Sequence, residues 1–230
     1  MNVAIIPARG GSKRIPHKNI RLFGDRPMLA HAITVAKQSG LFEHVIVSTE
    51  DEKVRKIAQK WGAETPFVRP LELADDHTPI VPVIKHSIGA CQELGWGVSM
   101  VCCIFPAVPF LQHQDLLEAV NLLKNSGGEY CFAVAEHKSS PQRALLRDHN
   151  GKVAPIYPQY EMNRTQDLKP AFYDAGQFYW GKADAWQTNP KIHSSGLGYV
   201  IPSWRAIDID TEDDLLRAEL LYKTFKKSLS

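Results

Sequence analysis

The chain has 230 residues, 44% of them hydrophobic and 23% charged, so it can bury one large core and should not be disordered. Its formal net charge of +2 is too small for a protein that mainly binds nucleic acid or an acidic membrane surface. No apolar run approaches the roughly 18 residues of a membrane-spanning helix, and no signal peptide is recognisable, so we expect a cytoplasmic protein without a membrane span.

Apolar and amphipathic segments alternate along the first part of the chain. The apolar segments predict buried strands, and they are VAIIPA (3–8), HVIVST (44–49), PFVR (66–69), VSMVCCIF (98–105) and EYCFAVAE (129–136). The segments between them predict helices at 28–39, 49–62, 79–94 and 113–128. Uninterrupted apolar strands joined by helices indicate a mostly parallel sheet, which gives a doubly wound α/β sandwich of three layers.

The alternation stops near residue 139. RALLRDHNGKVAPIY (143–157) predicts a hairpin that turns at Asn150-Gly151, and 158–170 shows little periodicity. Residues 139–170 are too few to bury a core, so we expect a small antiparallel insertion in a single domain, 1–230. Apolar strands then return in GQFYWG (176–181) and GYVIP (198–202), and IDIDTEDDLLRAELLYKTF (207–225) predicts a strand followed by a capped helix.

A basic, glycine-containing loop follows the first strand, within NVAIIPARGGSKRIPHKN (2–19). Its cations surround two adjacent glycines, and the residues are Arg9, Gly10, Gly11, Lys13, Arg14 and Lys18. The spacing fits neither a Walker P-loop nor a Rossmann fingerprint, and a solvated basic turn is the alternative interpretation. Glycines let backbone N–H groups approach an anion, and arginine binds phosphate oxygens with two donors. Since ligands of parallel sheets bind at the carboxyl ends of strands, the loop predicts a phosphate site.

Two carboxylates precede the terminal helix, where Asp208 and Asp210 alternate with isoleucines. Residues two apart on a strand point the same way, so the pair predicts an oxygen-rich edge suited to Mg²⁺. The run Asp210-Thr211-Glu212-Asp213 is also typical of a helix N-terminus with an acidic first turn. Both interpretations can hold, because Asp208 is free of the capping role.

Other polar candidates are open to two interpretations. Arg164, within 163–168, could bind a substrate carboxylate or form a surface ion pair. Gln177 lies on an apolar strand, where it serves either a ligand or packing. Asp174, just before it, is by default a turn residue.

Five segments, taken in order, resemble the CMP-sugar synthetases, the acylneuraminate cytidylyltransferase family. They are IIPARGGSKRIPHKN, RPLELADDHTP, IFPAVPFL, DAGQFYWG and IDIDTEDDL. The resemblance covers nearly the whole chain, and NRTQDLKPAFYDAGQFYWG is similar to the pseudaminic acid branch. It implies the three-layer fold of nucleotide-diphospho-sugar transferases and transfer of CMP from CTP to a nine-carbon keto-sugar acid, with Mg²⁺ as cofactor.

The resemblance also implies roles for single residues. The nucleotide-binding set is Ala8, Arg9, Gly10, Gly11, Ser12, Lys13, Asn19, Arg69, Asp76 and Thr78. The sugar-binding set is Arg164, Asp174, Gln177 and Tyr179. Arg9, Lys18, Asp208 and Asp210 would be catalytic, with the two aspartates holding the metal. A homodimer is implied as well, with the 139–170 insertion reaching across to the partner.

The loop after the long central strand bears on the choice of sugar. The sialic acid enzymes carry a glutamine and a Thr-Ser pair there, whereas this chain has the apolar run Phe105–Pro109. An apolar wall favours a sugar with more methyl character, such as the 6-deoxy, N-acylated pseudaminic acid. Legionaminic, sialic and Kdo-type acids are the nearer alternatives. A non-catalytic CTP-binding module is the more distant one, and the intact acidic pair argues against it.

Overall fold

A computed structural model describes the backbone of residues 1–229 and the side chains of 1–224; Ser230, the last residue of the predicted domain, lies outside the described residues. The strands are β1 (Asn2–Pro7), β2 (Leu22–Phe23), β3 (Arg26–Pro27), β4 (His44–Ser48), β5 (Met100–Ile104), β6 (Tyr130–Glu136), β7 (Leu145–Arg147), β8 (Val153–Pro155), β9 (Phe172–Lys182) and β10 (Gly196–Val200). The helices are α1 (Met28–Ser39), α2 (Glu52–Lys60), α3 (Ile80–Glu93), α4 (His113–Ser126), α5 (Ala183–Thr188) and α6 (Glu212–Leu229).

The central sheet has the strand order β10-β6-β9-β5-β1-β4. β1 is parallel to β4 and β5, and β10 is parallel to β6. β9 runs antiparallel to both of its neighbours, β5 and β6. The sheet is therefore mostly parallel, which confirms the predicted fold class.

Helices cover both faces of this sheet. Ala4 and Ile6 of β1 pack in one cluster with α1, α2 and α4, while Val3 and Ile5 pack in another with α3 and α5. Because β1 is buried on both faces, its sequence is continuously apolar rather than alternating. These three layers place the end of β1, and the basic loop after it, at the carboxyl edge of the sheet.

A third, smaller cluster joins the two ends of the chain. Ile15 from the basic loop and Ile209 from the segment before α6 are both fully buried in it, together with Phe23, Phe110 and Tyr222. Burying a side chain of this size contributes about 1.5–3 kcal/mol relative to leaving it exposed. The cluster thus brings the acidic segment beside the basic loop.

Two predicted strands are wrong. Residues 66–69 form no strand, since Pro66 lacks an N–H for a ladder and Arg69 turns inward to Ser48; the parallel contact there is a single bridge between Ile46 and Glu64. Residues 207–210 also form no strand, because a side-chain donor, Nζ of Lys18, binds the carbonyl of Ile209 at 2.7 Å in place of a neighbouring strand.

The predicted hairpin of the insertion is present, as β7 pairs antiparallel with β8 through Leu145–Pro155 and Arg147–Val153. Asp174 is not in a turn but in β9. None of the helices formed by the described residues combines the length and hydropathy needed to cross a bilayer.

Candidate active site

The basic loop after β1 is held in place from two sides. The backbone N–H of Gly10 donates to Oε1 of Glu50 at 2.7 Å, and the side-chain amide of Asn19 donates to the carbonyl of Arg9 at 2.8 Å. A Cβ atom on Gly10 would lie 2.4 Å from a carboxylate oxygen of Asp51, which caps α2. Only glycine allows this approach, so the glycine predicted to face an anion also serves close packing against the end of β4.

The cations of this loop bind carboxylates on the opposite walls. Arg9 forms an ion pair with Asp76, and Nζ of Lys13 lies 2.5 Å from the same side chain. Hydrogen bonds from Lys13 and Arg9 lower the pKa of Asp76 to about 2. The donors of Arg9 and Lys13 are therefore already arranged around oxygen anions.

The second set of ion pairs links the basic loop to the acidic segment. Nη2 of Arg14 lies 2.8 Å from Oδ1 of Asp210, and Nζ of Lys18 lies 3.4 Å from that oxygen. Lys18 has 21% of its side chain exposed, so its charge is partly shielded from solvent. Asp208 forms none of these pairs, and its pKa is raised, first by desolvation and then by the charge of Asp210. Two carboxylates and two cations thus share one small region.

Helix capping before α6 falls on other residues than Asp210. Oδ2 of Asp214 accepts hydrogen bonds from the backbone N–H groups of Asp210 and Thr211, and Oγ1 of Thr211 accepts from the N–H of Asp214. Thr211 is therefore the capping residue within the run Asp210-Thr211-Glu212-Asp213, which does form the helix N-terminus that it is typical of. The side chain of Asp210 stays available to the cleft.

A cleft of about 850 Å³ lies between these groups. Predicted site residues that line it are Arg9, Ser12, Lys13, Lys18, Asn19, Arg69, Asp76, Thr78, Asp174, Tyr179, Asp208 and Asp210. The remaining predicted residues, Ala8, Gly10, Gly11, Arg164 and Gln177, are not among the lining residues. The cleft therefore unites groups from the N-terminal loop, the 71–78 turn, β9 and the segment before α6.

Two of the nucleotide-side residues are buried in the cleft wall. Arg69 is 4% exposed, its guanidinium binds Ser48, and burial lowers its pKa. Asn19 is 6% exposed, and its Oδ1 has no hydrogen-bond partner among the described residues. A buried acceptor left unpaired costs about 1–3 kcal/mol, so Asn19 provides an acceptor that a ligand donor can satisfy.

Arg164 and Gln177 have other partners. Arg164 forms a two-donor ion pair with Asp167 on the exposed insertion, at 2.8 and 3.0 Å. Gln177 is 1% exposed and donates to the carbonyl of Arg205 at 2.6 Å. Arg205 in turn forms a buried ion pair with Asp115. Sugar binding by Arg164 and Gln177 stays a prediction.

Three residues that contact the site's residues were not predicted from the sequence: Glu50, His193 and Arg205. Oε1 of Glu50 accepts from the N–H of Gly10, and its position two residues after the end of β4 could have indicated a role at the carboxyl edge. His193 contacts Asp174 at 2.7 Å, although 19 residues separate them and no motif spacing relates them. Arg205 belongs to a segment without periodicity. Only tertiary packing brings these residues to the site.

A cation-lined cleft at the carboxyl ends of parallel strands, faced by two carboxylates, defines a nucleotide-binding α/β protein of the nucleotidyltransferase class. Residues 3–192 match the family model described as "Cytidylyltransferase", and the chain belongs to that family. The matched range ends before Asp208 and Asp210.

Curated relatives extend over the acidic segment as well. The chain is 37% identical to the "Pseudaminic acid cytidylyltransferase" of Campylobacter jejuni, over an alignment that covers 99% of this chain and 98% of the relative. It is 27% identical to the "CMP-N,N'-diacetyllegionaminic acid synthase" of Legionella pneumophila, over 99% of this chain and 98% of that one.

A solved structure of "CMP:2-keto-3-deoxy-manno-octonic acid synthetase" complexed with CTP superposes with a TM-score of 0.70. The two sequences are 16% identical, and the superposition covers 97% of this chain and 98% of the chain in the solved structure. At this identity the likeness shows the shared fold alone.

Proposed function

We propose that the protein transfers CMP from CTP to the anomeric hydroxyl of a nonulosonic acid, pseudaminic acid, and releases pyrophosphate. The observation that carries the proposal is that Arg9 and Lys13 line the same cleft as Asp208 and Asp210. The 37% identity to a pseudaminic acid cytidylyltransferase over nearly the whole chain supports the choice of sugar. The four cysteines are all buried free thiols, which supports a reducing, cytoplasmic location.

The cation end of the cleft suits the triphosphate. Both substrates are anions that repel each other, so the site must supply positive charge before they can react. Arg9 and Lys13, which bind Asp76, would exchange this carboxylate for phosphate oxygens. Lys18, close to Asp210, would neutralise charge nearer to the reacting phosphate.

The buried polar groups beside this end suit the base. Cytosine carries an amino group, and the unpaired Oδ1 of Asn19 is an acceptor in the cleft wall. Arg69, which also lines the cleft, supplies a buried donor. The two together support a pyrimidine pocket that distinguishes cytosine by its exocyclic groups.

The acidic pair fits a magnesium ion bound jointly with the nucleotide. Asp208 and Asp210 both line the cleft, and Mg²⁺ is commonly held by one or two carboxylates while phosphates and water fill the other positions. Among the side chains that the structure describes, no group of three or more histidine, cysteine or acidic residues forms a complete metal site. When bound, the ion would supply charge neutralisation at the α-phosphate and lower the pKa of the attacking hydroxyl.

The other end of the cleft suits the sugar acid. Phe105, Pro106 and Ala107 supply apolar lining, and Asp174 and Tyr179 supply polar groups, with the ring of Tyr179 edge-on to that of Phe105. Burial and the hydrogen bond to Asp174 raise the pKa of Tyr179 well above its ordinary value, so its hydroxyl stays a donor. This combination suits a sugar with both methyl and polar substituents.

A substrate panel tests the proposal. Purified protein is given CTP, Mg²⁺ and one of pseudaminic, legionaminic, sialic or Kdo acid, and pyrophosphate release is measured. We expect pseudaminic acid to give the highest kcat/KM. Pyrophosphate release with none of the four would end the proposal, and CTP binding without turnover would favour a non-catalytic module. Release with sialic acid alone would end the assignment of the sugar.

We infer that the insertion forms a homodimer interface. Its exposed apolar side chains include Leu146 at 64% and Met162 at 94%, and monomers rarely leave such side chains clustered. We expect light scattering to show a dimer at micromolar concentration and Leu146→Glu to shift it to monomer. Leu216→Glu, at a site on α6 that is 58% exposed, is the control and should stay dimeric. A wild-type protein that is wholly monomeric would contradict the inference.

A further inference from the structure

Two residues that line the cleft, Asp174 and Tyr179, form a side-chain cluster with His193, which does not line it. Oδ2 of Asp174 accepts from the hydroxyl of Tyr179 at 2.5 Å and from Nε2 of His193 at 2.7 Å. Oδ1 accepts from the backbone N–H of Gly176 at 2.8 Å. Because a carboxylate accepts at Nε2, this nitrogen carries the hydrogen, and the contact defines the ring orientation.

A bulge in β9 aims the carboxylate into the cleft. β6 advances by two residues, from Phe132 to Val134, while its partners on β9 go from Tyr179 to Asp174. Gly176 within this bulge has φ of 61°, in the left-handed region that glycine tolerates best. Bulges beside binding sites commonly redirect a side chain, and here Asp174 lines the cleft with 25% of its side chain exposed.

His193 contacts both Asp174 and Phe132 although its side chain is 65% exposed. Its neighbour Ile192 is 6% exposed and packs in the core with Phe132. The ring of His193 meets Phe132 edge-on, with centroids 5.1 Å apart. The side chain of Asn189 holds the turn that carries His193, residues 189–195, because it accepts from the N–H of Lys191 and donates to Ser195. An anchored exposed histidine on a cleft carboxylate is costly to order without a role in binding.

The carboxylate has one acceptor site left. Two oxygens offer about four lone pairs, and three are used by Gly176, Tyr179 and His193. The free lone pair on Oδ1 can accept a hydrogen bond from a hydroxyl or amide N–H. An isolated carboxylate would repel an anionic sugar acid, and the donors of Tyr179 and His193 offset its charge.

We propose that His193 is a positioning residue for the sugar acid: it holds Asp174 in the orientation that accepts a hydrogen bond from a hydroxyl or N-acyl N–H of the substrate. The proposal rests on the proposed function, because it concerns the sugar end of the same cleft. It makes substrate recognition depend on a residue that does not itself line the cleft.

The test compares His193→Leu, His193→Gln and the exposed control His113→Leu, on α4. Leucine removes the donor, so we expect KM for pseudaminic acid to rise about 10-fold, as for one lost charge-assisted hydrogen bond, with KM for CTP within about 2-fold of wild type. Glutamine keeps an N–H and should recover KM to within about 3-fold. In an Asp174→Asn background, His193→Leu should add little, because both changes act on one contact.

The outcomes separate the two proposals. A wild-type enzyme that turns over no sugar acid ends the proposed function and this inference with it. An active wild-type enzyme with an unchanged KM in His193→Leu overturns the inference alone. Equal rises in KM for both substrates, or no recovery with glutamine, would show that His193 only stabilises the fold and would overturn it too.

Discussion

Asp210→Asn is expected to lower kcat by roughly 100-fold or more while the protein stays folded. The substitution keeps the shape of the side chain but removes the charge with which Arg14 and Lys18 form ion pairs. It also removes one of the two carboxylates proposed to hold Mg²⁺. The fold should survive, because Thr211 and Asp214 cap α6 without Asp210's side chain. Steady-state kinetics and thermal melting measure the two effects.

The matched control is Asp213→Asn, three residues along the same acidic run. Asp213 is exposed in the first turn of α6 and does not line the cleft, so activity should stay near wild type. A magnesium titration adds a second readout, since wild-type melting temperature with CTP should rise with Mg²⁺ and that of Asp210→Asn should rise much less. Near-normal turnover in Asp210→Asn would show that the acidic pair is not the metal site.

The layered fold was predictable because burial on both faces leaves a continuous apolar run. β1, β4 and β5 were identified in this way. So were α1, which lies between β1 and β4, and α4, which follows β5. The direction of β9 was not, since a strand buried on both faces has the same composition whether it is parallel or antiparallel. The cations of the basic loop and the carboxylates of Asp208 and Asp210 were predicted as site residues from the clustering of charge in the sequence and from the family resemblance.

Contacts between single side chains that are far apart in the sequence could not be predicted. Arg69 lies in an apolar segment that is typical of a strand. Its guanidinium nevertheless turns to Ser48, and its backbone does not form a strand. Asp174 and His193 meet through a bulge and a turn that no periodicity marks. The 201–210 segment forms no helix or strand, so its position depends on side-chain contacts, among them the buried ion pair of Arg205 and the burial of Ile209.

That ion pair joins Arg205 to Asp115 at the start of α4. Nη1 and Nη2 of Arg205 lie 2.5 and 2.9 Å from the two carboxylate oxygens, and the side chains are 7% and 3% exposed. Gln177 binds the carbonyl of Arg205 from β9, and Tyr199 lies 3.4 Å from Asp115. Three elements thus fix the chain just before the two aspartates of the cleft.

Arg205→Met should destabilise the protein by about 3–5 kcal/mol, because it leaves the buried charge of Asp115 without its partner. Urea unfolding measures the loss, and Arg164→Met is the control: its ion pair with Asp167 has the same two-donor geometry but is exposed, so it should cost about 0–1 kcal/mol. Removing both charges in Arg205→Met/Asp115→Leu should recover part of the stability, since no charge is then buried alone. If the ion pair also positions Asp208 and Asp210, this double variant should remain well below wild type in kcat at temperatures where it is fully folded. A single variant within about 1 kcal/mol of wild type would mean that the 201–210 segment is held by something other than this pair.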